Sequence, residues 1–293
     1  MEGIGEQFGK SVDGVIRRPR VVLVPLAIDL LVLLMGTVIF VAVAKMEIFF
    51  PQGYRLPAFP VAVAHALPTV GDIMGPTPSP PQTDLFLVAA LVFVALTAPL
   101  LAYAEAGFLG VLRAVYLEPI DVVEEGRHPD AWSRIREAFT QTARRHFRPF
   151  FFLRLVQALL AIAAILLQRV DALHNYSLGV LAVDVMLLYA PYVVVDEGKG
   201  FIGAVRGSVQ LVSDHLATTL VALLFGFLLT GGMALLVGRL ALGVATPFVA
   251  SVLYAPVGTV LALFLYHVYR GFRPPDAIPE KMPAPTAAPA GAA

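Results

Sequence analysis

The chain has 293 residues, of which 58% are apolar and only 14% are charged, and its mean hydropathy is +0.79. Soluble domains carry about 45–50% apolar residues, so a soluble domain with a single core is excluded. Lys plus Arg equals Asp plus Glu at 21 each. The chain therefore has no net positive charge that would attract nucleic acid. The chain has no cysteine, which excludes disulfides, thiolate nucleophiles and Cys-ligated metal centres.

Six nearly charge-free stretches are each long enough to cross a hydrocarbon core about 30 Å thick. They predict an all-α integral membrane protein with six transmembrane helices. The first stretch exceeds the roughly 7–15 apolar residues of a signal peptide, so we expect an uncleaved span. The predicted spans are Val21–Ala44, Leu85–Ala104, Phe150–Leu167, Leu178–Val195, Leu216–Leu236 and Val244–Tyr266.

Lys and Arg are distributed unevenly between the two sides that these spans define. The side that holds both chain ends carries 17 of them, and the opposite side carries four, which are Lys45, Arg55, Arg169 and Arg239. Cytoplasmic loops carry an excess of basic residues. We therefore predict a multi-pass protein of the cell (inner or plasma) membrane with both termini in the cytoplasm.

Two segments are rich in proline. Residues 45–83 carry eight prolines and are predicted to form an irregular external insertion. Residues 274–293 carry six prolines and seven alanines without apolar periodicity, which predicts a disordered cytoplasmic tail. Residues 1–273 are then a single membrane domain.

The dipeptide Ala-Pro occurs once in each even-numbered span, at Pro99, Pro191 and Pro256. Each proline removes a backbone donor and is predicted to kink its helix. A short amphipathic stretch precedes each odd-numbered span, with apolar residues at helical spacing. Ser11, Thr142 and Ser208 occupy corresponding positions in the three stretches and serve as their reference residues, or anchors.

The spacing between anchor and proline indicates an internal repeat. Thr142 precedes Pro191 by 49 residues, and Ser208 precedes Pro256 by 48. The first copy is longer by about the length of the external insertion. We predict three parallel repeats of an interfacial amphipathic helix plus a transmembrane hairpin, at about 1–117, 130–197 and 198–271. Parallel copies have an axis normal to the membrane.

Four polar residues are predicted to form an intramembrane cluster: Asp29, Glu105, Arg154 and Gln157. Ionised groups inside a bilayer cost several kcal/mol unless they are paired or hydrated. We therefore expect Arg154 to lie within salt-bridge or one-water reach of Asp29 or Glu105, where Glu105 marks the cytoplasmic end of its span. Two interpretations remain open, a structural clamp and an ion or substrate path.

Asp184 has no basic residue at its predicted depth and is predicted to be an isolated intramembrane acid, with proton coupling as one possible role. In the fifth span, small residues recur every four positions, which favours close helix packing. This seam comprises Ala222, Gly226, Thr230, Ala234 and Gly238, and Ser251, Ala255 and Thr259 are its expected partners.

The sequence contains no catalytic or nucleotide-binding motif and no metal-spaced histidine pair, so we predict a protein that is not an enzyme and has neither cofactor nor metal. A membrane-embedded lipid enzyme would have to use Glu105, Asp196, Glu197 and His215. Basic residues of the interfacial helices could bind anionic lipid headgroups, or could serve positive-inside anchoring alone.

Four segments resemble poorly characterised prokaryotic membrane proteins: the YciC-like inner-membrane proteins and the membrane domain found beside some glycerophosphoryl diester phosphodiesterases. They are residues 15–25 (VIRRPRVVLVP), residues 190–198 (APYVVVDEG) with 204–212 (AVRGSVQLV), and residues 266–270 (YHVYR). The resemblance implies a compact helical membrane domain without an established activity. The phosphodiesterase activity does not carry over, because no soluble catalytic segment is present.

Together these features favour a non-enzymatic integral membrane protein that acts as a scaffold or accessory factor for lipids or partner proteins. The alternative is a transporter or channel whose polar path involves Asp29, Glu105, Arg154 and Asp184. The sequence does not predict an oligomeric state.

Overall fold

The computed structural model describes residues 3–44, 84–117, 131–167, 182–240 and 246–273. The external insertion at 45–83 and the tail at 274–293 lie outside the described residues. Within the described residues the chain is all-helical, as predicted. It forms eight α-helices: α1 (Ile4–Arg17), α2 (Leu23–Ala44), α3 (Asp84–Leu112), α4 (Ala131–Leu167), α5 (Ala190–Glu197), α6 (Phe201–Asp214), α7 (Leu216–Leu240) and α8 (Thr246–Gly271).

Three segments of the described helices are long and apolar enough to cross a membrane. They are Ala95–Tyr116 in α3, Leu216–Met233 in α7 and Val249–Gly271 in α8. By length and hydropathy, the chain is therefore a candidate multi-pass membrane protein. The orientation of the chain and the further spans remain predictions.

The second and third predicted spans differ from the helices that form. α3 continues past Ala104 to Leu112 and ends in a π-helical turn over Arg113–Leu117. α4 joins the second amphipathic stretch and the third span into one helix of 37 residues, with Pro149 inside it. The amphipathic stretch and the predicted span form separate helices at α1 and α2 and at α6 and α7, but the prediction of a separate helix is wrong for α4.

Each amphipathic stretch packs on a helix that contains an Ala-Pro dipeptide. α1 packs on α8, the first half of α4 on α3, and α6 on α5. The anchors Ser11, Thr142 and Ser208 are all buried. At the α3–α4 contact, glycine permits the close approach, because a methyl group added at Gly107 would lie 2.6 Å from the Phe139 ring.

The helix that contains Pro191 is interrupted. Residues 187–189 form a turn between a helical segment at 182–186 and α5. Proline has no N–H and its ring disturbs the preceding helical turn. Ser208 of α6 bonds both freed groups, because its hydroxyl donates to the Met186 carbonyl at 2.6 Å and accepts from the Tyr189 N–H at 3.0 Å. α3 and α8 run through Pro99 and Pro256 without interruption, so kinks there remain predictions.

Candidate functional site

The most completely buried acid among the described ion pairs is Asp196, in the last turn of α5. Its side chain is 0% exposed, and two arginines from other helices approach it. Arg113 Nε, after α3, lies 3.6 Å from Oδ1, and Arg270 Nε, in α8, lies 3.1 Å from Oδ2. The Tyr266 hydroxyl donates to Oδ1 at 2.5 Å. One carboxylate thus joins α3, α5 and α8.

Glu197 extends this arrangement toward the end of α8. Its carboxylate lies 2.5 Å from Arg273 and 2.7 Å from Lys199, and it accepts a hydrogen bond of 2.9 Å from the Tyr269 hydroxyl. We call this group the Asp196 cluster, which comprises Asp196, Glu197, Arg113, Arg270 and Arg273 with Tyr266 and Tyr269.

The local sequence explains why these acids need several cations. The C-terminal end of a helix carries a partial negative charge, so acids in its last turn are unfavourable unless cations compensate them. Arg113 also donates to the Val195 carbonyl at 3.1 Å, which satisfies an orphan group of that helix end. Gly198 ends the helix with a φ of 65°, a left-handed conformation that favours glycine.

Aromatic side chains surround the cluster. Tyr192 and Tyr266 lie with ring centroids 4.9 Å apart, and Tyr192 and Tyr269 stack at 5.8 Å. Arg270 lies over the Tyr266 ring at 5.4 Å, and Arg273 over the Tyr269 ring at 6.0 Å. The arginines are therefore held by both carboxylates and ring faces, which favours a rigid ionic centre.

A second buried ion pair lies within α3 and α4. Arg154 Nε is 2.6 Å from Glu105 Oε2, and both side chains are at most 5% exposed. Arg154 also donates to the Gln157 side-chain oxygen at 3.1 Å. The predicted contact between Arg154 and Glu105 is confirmed. Asp29 is buried in α2, the helix that packs on α3.

α3 continues past Glu105 to Leu112, and Glu105 forms its pair with Arg154 within this helix. That Glu105 marks the cytoplasmic end of its span stays a prediction. Asp184 is half-buried in the helical segment at 182–186. Its isolation from cations stays a prediction.

The small-residue seam forms part of the contact between α7 and α8. Ala222, Gly226 and Thr230 are buried. The Tyr254 hydroxyl of α8 donates to the Thr230 carbonyl at 3.4 Å. Ala234 and Gly238 belong to α7, but their packing is outside what the structure describes. The partner residues Ser251, Ala255 and Thr259 are buried on α8.

The residues that a lipid enzyme would need already have structural partners. Glu105 binds Arg154, Asp196 binds two arginines, and the His215 ring stacks on Phe272 at 4.1 Å. In the parts of the chain that the structure describes, no group of three His, Asp or Glu side chains could hold a metal ion.

Sequence reasoning missed most of the Asp196 cluster. It named Asp196 and Glu197 only as components of a lipid enzyme, and it did not single out the arginines or tyrosines. A usable pattern was present, because Arg113 and Arg270 each follow an Ala-Pro proline by 14 residues. Two of the segments that carry the family resemblance, 190–198 and 266–270, also meet in this cluster.

Comparison of the chain with protein families, curated proteins and solved structures gives no match.

Proposed function

We propose that the chain is a six-span membrane protein built from three parallel repeats, with both termini in the cytoplasm. The order of helix contacts supports this arrangement. The second amphipathic stretch packs on the last helix of the first repeat, and the third packs on the last helix of the second. α1 packs on α8, so the first repeat contacts the third and the order closes into a ring.

The Asp196 cluster supports the same repeat. Arg113 of the first repeat and Arg270 of the third occupy equivalent positions, and both contact Asp196 of the second. The segments that follow the three Ala-Pro prolines thus meet at one carboxylate, as expected near the common axis of a threefold arrangement. The ionic centre would then hold the repeats together.

Within this architecture, the function that we propose is that of a non-enzymatic scaffold or accessory factor that interacts with lipids or partner proteins. The observation that carries it is the outer surface of the amphipathic helices. Ile16 on α1 is 71% exposed and Ile202 on α6 is 79% exposed, and exposed arginines lie near both. Large exposed apolar side chains beside basic ones are typical of surfaces that bind membranes or proteins.

The test is purification of the full chain in a mild detergent, followed by quantification of bound phospholipids and proteins. We expect one lipid class or one protein to co-purify in a fixed ratio. Ile16→Ser with Ile202→Ser should lower that ratio, whereas Leu228→Ser, on the exposed face of α7, serves as the matched apolar control. A wild-type preparation without any such enrichment would contradict the proposal.

The alternative of a transporter or channel rests on one observation, the buried ion pair of Arg154 and Glu105 inside the bundle. A buried ion pair is an arrangement that a transported ion or proton could alter. Reconstituted liposomes should then show an ion flux that Glu105→Gln abolishes and the exposed Asp13→Asn preserves. The absence of flux from wild-type liposomes would remove this alternative.

A further inference from the structure

The three amphipathic segments differ in how their charges are satisfied. On α1, Lys10 pairs with Glu6 at 3.2 Å and Arg17 pairs with Asp13 at 2.9 Å, one helical turn apart in each case. The basic side chains of α1 are therefore largely neutralised by its own acids. Such a helix has little charge left for an external anion.

Within the described residues, the first half of α4 shows no such compensation. Arg144, Arg145 and Arg148 are exposed, and none forms an ion pair with any residue that the structure describes. The one acid in the whole of α4 is Glu137, and its carboxylate accepts a hydrogen bond from Gln141 at 2.8 Å. We call the three arginines the basic face of α4.

The basic face lies where α4 changes from an amphipathic to an apolar helix. Phe150, two residues after Arg148, is buried, and Phe152 is 48% exposed in the apolar half of α4. The arginines therefore lie at the level where an apolar span begins, which is the level of lipid phosphates if α4 crosses a membrane. Positions 144 and 148 are neighbours on one helix face, as are 145 and 148.

Uncompensated like charges at these spacings repel each other and destabilise a helix. A bound phosphate would remove that repulsion, and the planar guanidinium group can bind it through two parallel hydrogen bonds. On α1, by comparison, Lys10 and Arg17 are both paired with acids of the same helix. The buried His146 beside this face has its pKa lowered to about 4, by burial first and then by Arg145 and Arg113.

We infer that the basic face of α4 binds the phosphate groups of anionic phospholipids in the leaflet where this helix enters the membrane. The inference rests on the proposed membrane function and deepens it, because it assigns the lipid class and the residues that bind it. α1 and α6 contribute exposed apolar side chains with arginines beside them, and α4 contributes the three clustered arginines that select the lipid.

The test compares two double variants of the full chain in nanodiscs made from phosphatidylcholine and phosphatidylglycerol. Arg144→Gln/Arg148→Gln removes two unpaired arginines, and Lys10→Gln/Arg17→Gln removes two paired cations as the matched control. Lipid retained after transfer to detergent is measured by mass spectrometry. A basic residue near an anionic surface contributes about 1 kcal/mol, so we expect phosphatidylglycerol retention to fall about fivefold for each arginine removed. The control should stay within about twofold of wild type.

Three results would overturn the inference: equal retention of the two lipids by wild type, equal losses in both double variants, or displacement of the lipid by excess inorganic phosphate. In the first two, the chain would still insert into nanodiscs, so the proposed membrane function would stand. Failure to insert at all would contradict that function itself. Arg144→Lys/Arg148→Lys keeps the charge and loses the bidentate geometry, so we expect a loss that is smaller than for the Gln pair.

Discussion

Arg154 and Glu105 form a buried ion pair, and removal of one partner has a different consequence from removal of both. Taking a charge out of water is costly, and the attraction between the partners compensates that cost only while both are present. Removal of Arg154 would leave the Glu105 carboxylate buried without its closest cation. Removal of both charges avoids that state.

We therefore expect Arg154→Met to lower the free energy of unfolding by about 3–5 kcal/mol. The double variant Arg154→Met/Glu105→Gln should recover part of the loss. The control is Arg17→Met, which breaks an exposed pair with Asp13 and should cost about 0–1 kcal/mol. Unfolding in increasing denaturing detergent measures all three. A double variant as unstable as the single one would show that the pair is not the cause.

His146 gives the protein a defined pH dependence. Its pKa in the fold is about 4, below the ordinary value of 6.5, so the unfolded chain binds a proton first as the pH falls. The stability linked to His146 is complete above pH 6.5 and is lost progressively as the pH falls toward 4. We expect His146→Gln to make the unfolding midpoint less dependent on pH between 7 and 5. Parallel curves for the two proteins would contradict this.

The two ionic clusters show which polar contacts a sequence can predict. Arg154 is the one basic residue near the predicted depth of the buried acids, and the cost of an unpaired charge in lipid indicates its partner directly. Asp196 lies 70 residues from Tyr266 and 74 from Arg270. Their sequence positions suggest solvated span ends, so only the packing of the helices reveals the contact.

At the level of the helices, the contact between α3 and α4 depends on residues without side chains. A methyl group at Gly110 would overlap the Thr142 side chain, and one at Gly107 would lie 2.6 Å from the Phe139 ring. Thr142 belongs to the amphipathic half of α4. Small residues on α3 therefore set how closely the amphipathic half of α4 approaches it.

We expect Gly110→Ala to destabilise the protein by about 1–3 kcal/mol through overpacking. The combination with Thr142→Gly should recover stability, since the three atoms nearest the added methyl all belong to Thr142. Gly232→Ala on α7 is the control, because its methyl would meet nothing within 4 Å. Thermal unfolding in detergent measures the difference. If Gly110→Ala and Gly232→Ala were equally stable, the close approach would be wrong.

The helix bounds also show where periodicity alone is insufficient. The repeat predicts a break between each amphipathic stretch and the span that follows. The break is present at Pro19–Val22 and at His215, but α4 is continuous through Pro149. Proline at one position can be accommodated inside a helix by its neighbours. Conversely, the interruption before Pro191 depends on Ser208, which lies on another helix and bonds the freed backbone groups.

For the molecule as a whole, the contact between the first and last helices, α1 and α8, shows how the two ends of the bundle are arranged. The side-chain amide of Gln7 lies so close to α8 that a methyl group at Gly271 would be 3.0 Å from its nitrogen. Phe8 packs against Phe264 at 5.7 Å between ring centroids. The start of α1 and the end of α8 therefore lie at the same end of the bundle, which the proposed even number of spans requires.

We expect cysteines at Gln7 and Gly271 to be joined within one molecule by a short bifunctional thiol cross-linker, since the contact runs through the end of the Gln7 side chain. The chain has no native cysteine, so each introduced pair reports one contact. Gly9 is the control partner for Gly271, because it is exposed and lies about 200° around the helix from Gln7. A protease site placed within 45–83 lets the assay distinguish the linked chain, whose fragments remain joined, from the unlinked one. Fragments that separate, or links that form only between differently tagged molecules, would show that the ring of repeats does not close through α1 and α8.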